Sequence, residues 1–159
     1  MLAGHLCNAA PTFYGAAGQA LLSRMSKQHS HPQATQVFGH DRFCDRLEAL
    51  IKRHIQVFVS DTDLCRLFIA EVRVASDYEG SPIQELNRRY TAVLIRIVKE
   101  AVKTGEVKSD VNPKLLRDVL FGAIEHLAWR HVNGRGQLKV AQTGRELTIM
   151  LTAGICVGE

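Results

Sequence analysis

Glu125, His126 and Trp129 are the side chains whose types and spacing could do chemistry, because they interrupt a run of otherwise apolar residues over 115–132. Leu115, Leu116, Val119, Leu120, Phe121, Ile124, Leu127, Ala128 and Val132 make up that run. A carboxylate left bare in such surroundings is costly, so Glu125 must be paired or reach water. Two readings are open. In the first, Glu125 faces solvent or pairs with Arg130 or Arg117, and Trp129 belongs to the core. In the second, Phe121, Glu125 and Trp129, spaced i, i+4, i+8, line a pocket closed by Phe68, Val72, Tyr90 and Leu94. An apolar cavity with a few convergent polar groups suits a small molecule. Tyr90 faces the same choice between core and pocket wall.

Other chemistries find less support. His126 and His131 are five residues apart, which turns them about 140° around a helix and denies them a shared ligand face. No H-E-x-x-H or Glu-x-x-His pair occurs, and His29-Ser30-His31 lies in a polar linker. Gly134-Arg135-Gly136 follows a helical pattern, whereas phosphate-cradling loops follow a strand. Nothing pairs a Ser or Cys with a base in a recognisable local motif. We expect no catalytic residue, no metal, no cofactor and no enzymatic activity. Cys7, Cys44, Cys65 and Cys156 are scattered without a CxxC and read as small buried hydrophobes.

The elements that must position these residues are helices. Phe43, Leu47, Leu50, Ile51, His54, Ile55 and Phe58 share one helical face, and Leu64, Leu67, Phe68, Val72 and Ala75 continue at helical spacing after a break at residues 60–63. Ser81-Pro82-Ile83-Gln84 is a capping box with proline in the first turn, and the helix it opens runs to about Thr104. Gly105 stands where that helix needs a left-handed residue to end. Asn112 and Pro113 start the next helix, which runs to Val132, and the last extends from about Val140 to Cys156. Gln19-Ala20-Leu21-Leu22-Ser23-Arg24-Met25 could add one short helix near the N-terminus. The fold class is all-α, a bundle of five to six helices. Residues 1–40 read as a weakly structured lead-in and 41–159 as the globular domain.

Charge separates the same two regions. All 16 acidic residues lie at Asp41 or later, while only Arg24 and Lys27 of the 20 basic residues precede it. The globular part is therefore nearly neutral and a poor nucleic-acid binder by itself, so any DNA contact should come from the lead-in. No apolar run approaches the length that crosses a bilayer, and the first residues lack a positive, apolar leader pattern. A cytoplasmic protein with no membrane partner is expected.

Residues 104–129, TGEVKSDVNPKLLRDVLFGAIEHLAW, carry a turn ending in Asp110-x-Asn112-Pro113, an internal Phe121-Gly122 and a late Trp129. This pattern resembles the C-terminal half of TetR-type transcription regulators over roughly residues 42–154. The resemblance implies a homodimer whose last two long helices form a four-helix bundle with those of the partner. It also implies a neighbouring pocket for a small hydrophobic, fatty-acyl-like effector, whose binding respaces the DNA-binding heads of a repressor.

Gly122 costs its helix about 1 kcal/mol relative to alanine. Close approach of another helix would offset that, whether within the chain or at a dimer seam, and the resemblance favours the seam. The expected interface is Leu115, Val119, Gly122, His126, Leu147, Met150, Leu151 and Gly154.

Pro11-Thr12-Phe13-Tyr14-Gly15 followed by Gly18-Gln19-Ala20-Leu21-Leu22 is similar to the junction after that family's recognition helix. The resemblance makes Thr12 and Tyr14 phosphate contacts, which position a protein on DNA without reading sequence. Ala16-Ala17 replace the usual aromatic, a Ser-Lys pair is missing before Gln19, and only ten residues precede Pro11. The head is thus expected to be largely absent, with DNA a partner only where a complete head is present. Two other functions remain open: a helical homodimeric interaction module without ligand, or a small helical-bundle enzyme.

Overall fold

The computed structural model describes residues 42–72 and 74–157. These form five α-helices: α1 (Phe43–Ser60), α2 (Thr62–Leu67), α3 (Pro82–Thr104), α4 (Pro113–Val132) and α5 (Val140–Ile155). The expected Thr12 and Tyr14 contacts and the short N-terminal helix lie outside the described residues.

Helix α1 is the central post, packed against α3, α4 and most extensively α5. Its apolar stripe explains why: Phe43, Leu47, Ile51 and Ile55 are fully buried, with Leu50 and Phe58 nearly so. Leu94, Ile97, Val98 and Ala101 from α3, and Leu116, Leu120, Ile124 and Ala128 from α4, complete the main core. Gly144 permits the close fit of α5 on α1. A Cβ there would stand 2.5 Å from Lys52 Cγ.

The helix ends follow the sequence signals. Asp61 caps α2 by accepting from Leu64 N–H at 3.3 Å. Ser81 Oγ accepts from Gln84 N–H at 3.1 Å. Gln84 Oε1 reaches one residue further back than a capping box requires and accepts from Gly80 N–H at 2.8 Å. Gly105 ends α3 at φ 81°, and Asn112 Oδ1 accepts from both Lys114 and Leu115 N–H, at 3.0 and 3.2 Å. The first turn of α1 takes its cap from afar, with Phe43 N–H donating to Glu106 Oε2 at 2.6 Å.

One departure lies in the second helix. Instead of continuing regularly to Ala75, the chain widens into a π-helical turn over Phe68–Val72. Val72 joins Leu64 and Ile83 in a small separate cluster, with Phe68, Tyr78 and Leu86 packed on it.

Candidate functional site

A cavity of about 420 Å³ lies between the first half of α3 and the middle of α4. Gln84, Asn87, Arg88 and Thr91 face it from α3, and Arg117, Asp118, Phe121, Gly122 and Glu125 from α4. Periodicity brings them there: 84, 87, 88 and 91 share one side of α3, as 117, 118, 121, 122 and 125 do of α4. His54 of α1 and Tyr78 of the loop before α3 complete the lining.

The floor is an aromatic cluster. The His54 ring meets Phe121 edge-on with centroids 4.6 Å apart, and also contacts Phe58 and Tyr90, each at 5.3 Å. His54 Nδ1 and the Tyr90 hydroxyl are 2.8 Å apart, and the histidine tautomer decides which donates. Burial pushes the Tyr90 phenol well above its ordinary range, against the opposing pull of Arg53. Tyr90 is therefore a neutral hydroxyl at physiological pH, able to serve in either role.

The walls are polar and charged. Arg117 is paired with its neighbour Asp118, its Nε donating at 2.8 Å. Arg88 Nη1 reaches Glu85 at 3.3 Å. Such surface pairs are worth about 0–1 kcal/mol, so both guanidinium groups could turn to an incoming anion at little cost. Asn87 Nδ2 donates to Tyr78 Oη at 3.3 Å, tying the side wall to α3. Two arginines, Arg88 and Arg117, and two carboxylates, Asp118 and Glu125, thus stand over an aromatic floor, a lining that suits an amphipathic molecule.

Of the seven residues expected around a pocket, Phe121 and Glu125 line this cavity. Tyr90 lies beside the floor, hydrogen-bonded to His54 and 5.9 Å from the Phe121 ring. Leu94 is wholly within the main core, while Phe68 and Val72 belong to the small cluster. Trp129 is 43% exposed and outside the lining. Helical rotation is the reason: eight residues beyond Phe121, Trp129 is turned about 80° from it.

Trp129 instead continues a second stripe. Leu115, Val119, Gly122, His126 and Trp129 recur at alternating spacings of four and three along α4, all of them exposed. Among the described residues, nothing from a neighbouring helix lies within 4 Å of where a Gly122 Cβ would stand, so close packing of another described helix does not account for this glycine. On α5, Met150 is 72% exposed and Gly154 is also open to solvent, but Leu147 is buried and Leu151 half-buried. The last two lie on the side of α5 that carries Gly144 and Thr148, against the core. Ile149, absent from the expected set, is 61% exposed on the outer side.

The polar walls and His54 were not among the expected site residues. His54 was visible only as one member of an apolar stripe, and Gln84, Arg88 and Thr91 look like an ordinary solvent face until α4 is placed opposite. Among the described residues, no group of three or more His, Cys, Asp or Glu could hold a metal ion, and no helix is long and apolar enough to cross a membrane.

A post helix wrapped by four others, with a cavity against α4 and an apolar stripe exposed on it, makes up an all-α domain. Residues 40–155 match the family model described as Tetracyclin repressor-like, C-terminal domain, and the chain belongs to that family.

Among curated proteins, the Fatty acid metabolism regulator protein of Bacillus subtilis (strain 168) is 22% identical over 111 residues, covering 70% of this chain and 57% of that protein. The chain thus spans less than two thirds of that relative's length. Among solved structures, the transcriptional regulator FadR from Bacillus subtilis in complex with stearoyl-CoA superposes with a TM-score of 0.74 at 19% identity, covering 86% of this chain and 73% of that one. The ketosteroid transcriptional regulator KstR2 of Mycobacterium tuberculosis gives 0.64 at 16% identity, with coverages of 87% and 66%. A TetR/AcrR-family regulator from Thermobifida fusca YX-ER1 gives 0.61 at 24% identity, with coverages of 85% and 70%. The structural likenesses establish the shared fold, and each of these proteins is described as a regulator.

Proposed function

We propose that this chain is the effector-sensing and dimerising part of a TetR-type transcription regulator, a repressor whose ligand is a fatty-acyl-like amphipathic anion. The observation that carries the reading is the cavity between α3 and α4, with an aromatic floor and Arg88 and Arg117 on its walls. A pocketless interaction module would have no use for such a space. The relatives described as a fatty acid metabolism regulator and as a complex with stearoyl-CoA support the ligand class. Arg88 and Arg117 would meet an anionic head, while Asp118 and Glu125 on the same walls limit where it can lie.

Dimerisation would proceed through the exposed α4 stripe, joined by Ile149, Met150 and Gly154 of α5. An isologous pairing would cover this apolar face, which a stable monomer rarely leaves open. Since α4 also lines the cavity, a ligand with unequal affinity for two placements of α4 would shift the dimer between them.

Isothermal titration of the purified chain with stearoyl-CoA, octanoyl-CoA and free CoA tests the ligand class. Saturable binding of an acyl-CoA, weakened about ten- to a hundredfold by Arg117→Gln, is expected, since a charge-assisted hydrogen bond contributes about 1.5–3 kcal/mol. Binding that is indifferent to Arg88→Gln and Arg117→Gln alike would remove the cavity as the site. No binding by any of the three would remove the ligand class.

A further inference from the structure

Two of the four cysteines, far apart in sequence, meet where the chain enters the described domain. Cys44 lies in the first turn of α1 and Cys156 immediately follows α5, yet their sulfurs are 3.9 Å apart and share a thiol hydrogen bond. Both are half-buried, whereas Cys65 is buried in the core.

Backbone interactions hold the pair on both sides. Val107 and Cys156 form an antiparallel bridge. Lys108 N–H donates to Ile155 O at 2.9 Å, and Val157 N–H donates to Glu106 O at 3.1 Å. Glu106 in turn accepts from Phe43 N–H at 2.6 Å and takes Arg46 Nη2 at 3.5 Å. The juxtaposition is thus fixed by the turn after α3, which grips the start of α1 with its side chains and the end of α5 with its backbone. The sulfurs need to close by about 1.9 Å to bond, a distance within reach of side-chain rotation.

We propose that Cys44 and Cys156 are a redox modification site, forming a reversible disulfide with a peroxide as oxidant. One thiolate attacks a peroxide oxygen and breaks the O–O bond, leaving a sulfenic acid and a hydroxide that becomes water with the thiol's proton. The second sulfur then attacks the sulfenic sulfur; the S–S bond forms, the S–O bond breaks, and a second water leaves with the remaining proton. The two sulfurs together lose two electrons, and the two peroxide oxygens gain them.

Burial and the neighbouring Cys44 push the Cys156 thiol up to about 11, so little Cys156 thiolate is present at neutral pH and attack by this sulfur is slow. The product joins residues 112 apart and fastens the entry of the N-terminal segment to the end of α5. Closing so long a loop should raise the melting temperature by about 5–15 °C.

The test is to treat the reduced full chain with hydrogen peroxide, alkylate it, digest without reductant and read the peptides by mass spectrometry, with thermal melts in parallel. The expected result is a peptide linking Cys44 to Cys156, two hydrogens lighter than the free thiols. It should be reversed by dithiothreitol and accompanied by a rise in melting temperature that Cys156→Ser and Cys44→Ala each abolish. A Cys7→Ser background keeps the reading clear of the N-terminal thiol, and either single variant serves if the other folds poorly. Full alkylation of both thiols after peroxide, sulfinic acid at either position without a cross-link, or a cross-linked chain that melts no higher than the reduced one would each overturn the proposal.

Discussion

Replacing Tyr90 with phenylalanine removes one oxygen and little else. The ring keeps its place beside Phe121 at 5.9 Å and His54 at 5.3 Å, while His54 Nδ1 loses a partner at 2.8 Å. His54 is half-buried at the cavity, and stripping its partner costs at most about 1–3 kcal/mol, because desolvation is no longer offset. For a chain of this size that lowers the melting temperature by about 2–12 °C.

His54→Phe makes the complementary change. It retains an aromatic edge against Phe121, and the adjoining cavity has room for the larger ring. With both polar partners gone the loss should be smaller than the sum of the two single losses, since an apolar pair leaves neither side of this hydrogen bond unsatisfied. The cycle of wild type, two singles and the double, measured by urea unfolding at 25 °C, should give a coupling of about 1–2 kcal/mol. A coupling below about 0.3 kcal/mol would mean that the hydrogen bond adds nothing and ring packing alone holds the cavity floor.

Alkaline pH should expose the buried thiol of Cys65. Burial pushes it from 9.0 up to about 12, so the unfolded chain sheds this proton first and stability falls as pH rises from about 9 to 12. Cys65→Ala should flatten that part of a pH-stability curve, a difference of up to about 1.4 kcal/mol per pH unit while the thiol titrates only in the unfolded state. Asn112→Ala deletes the acceptor of two N–H groups and should cost about 1 kcal/mol in urea unfolding; no loss would show that water satisfies those donors equally well. Val119→Glu, at a half-exposed position on the α4 stripe, should leave the circular dichroism spectrum intact and convert a dimer to a monomer in sedimentation velocity. A dimer that survives it would move the interface off that stripe.

Much of the fold was legible because the signals are local. Ser81, Gly105, Asn112 and Pro113 each stop or start a helix through their own backbone preferences, and each does so where the sequence places it. The main core followed from helical periodicity on α1, α3 and α4. The π-helical turn at Phe68–Val72 was not legible, since a regular helix and a widened one share the same apolar spacing over so few residues. The cavity walls depend on which side of α3 faces α4, and the sequence of neither helix specifies that. Polar residues on α3 therefore read as solvent face, while Leu94 and Val72, apolar enough for a pocket wall, were claimed by the cores instead. Gly144 went unnoticed because its reason, the Lys52 side chain on α1, is distant in sequence.

Helix α4 explains why so apolar a segment also carries charge. Its residues divide among three surroundings: Leu116, Leu120, Ile124 and Ala128 face the core, Arg117, Phe121 and Glu125 face the cavity, and Leu115, Val119, His126 and Trp129 face outward. A helix with three such faces cannot show a single apolar stripe, and the sequence displays a broad apolar arc broken by Glu125 and His126. Gly122 sits where two of these faces meet, exposed yet touching the cavity. With about 1 kcal/mol of helix propensity forgone there and no neighbour within 4 Å among the described residues, this glycine has no structural reason in the packing of the five helices. On the proposed reading it has one between two chains: a side chain at Gly122 would stand both in the seam and at the cavity's edge, on the single turn of α4 through which an effector could be felt by the partner subunit.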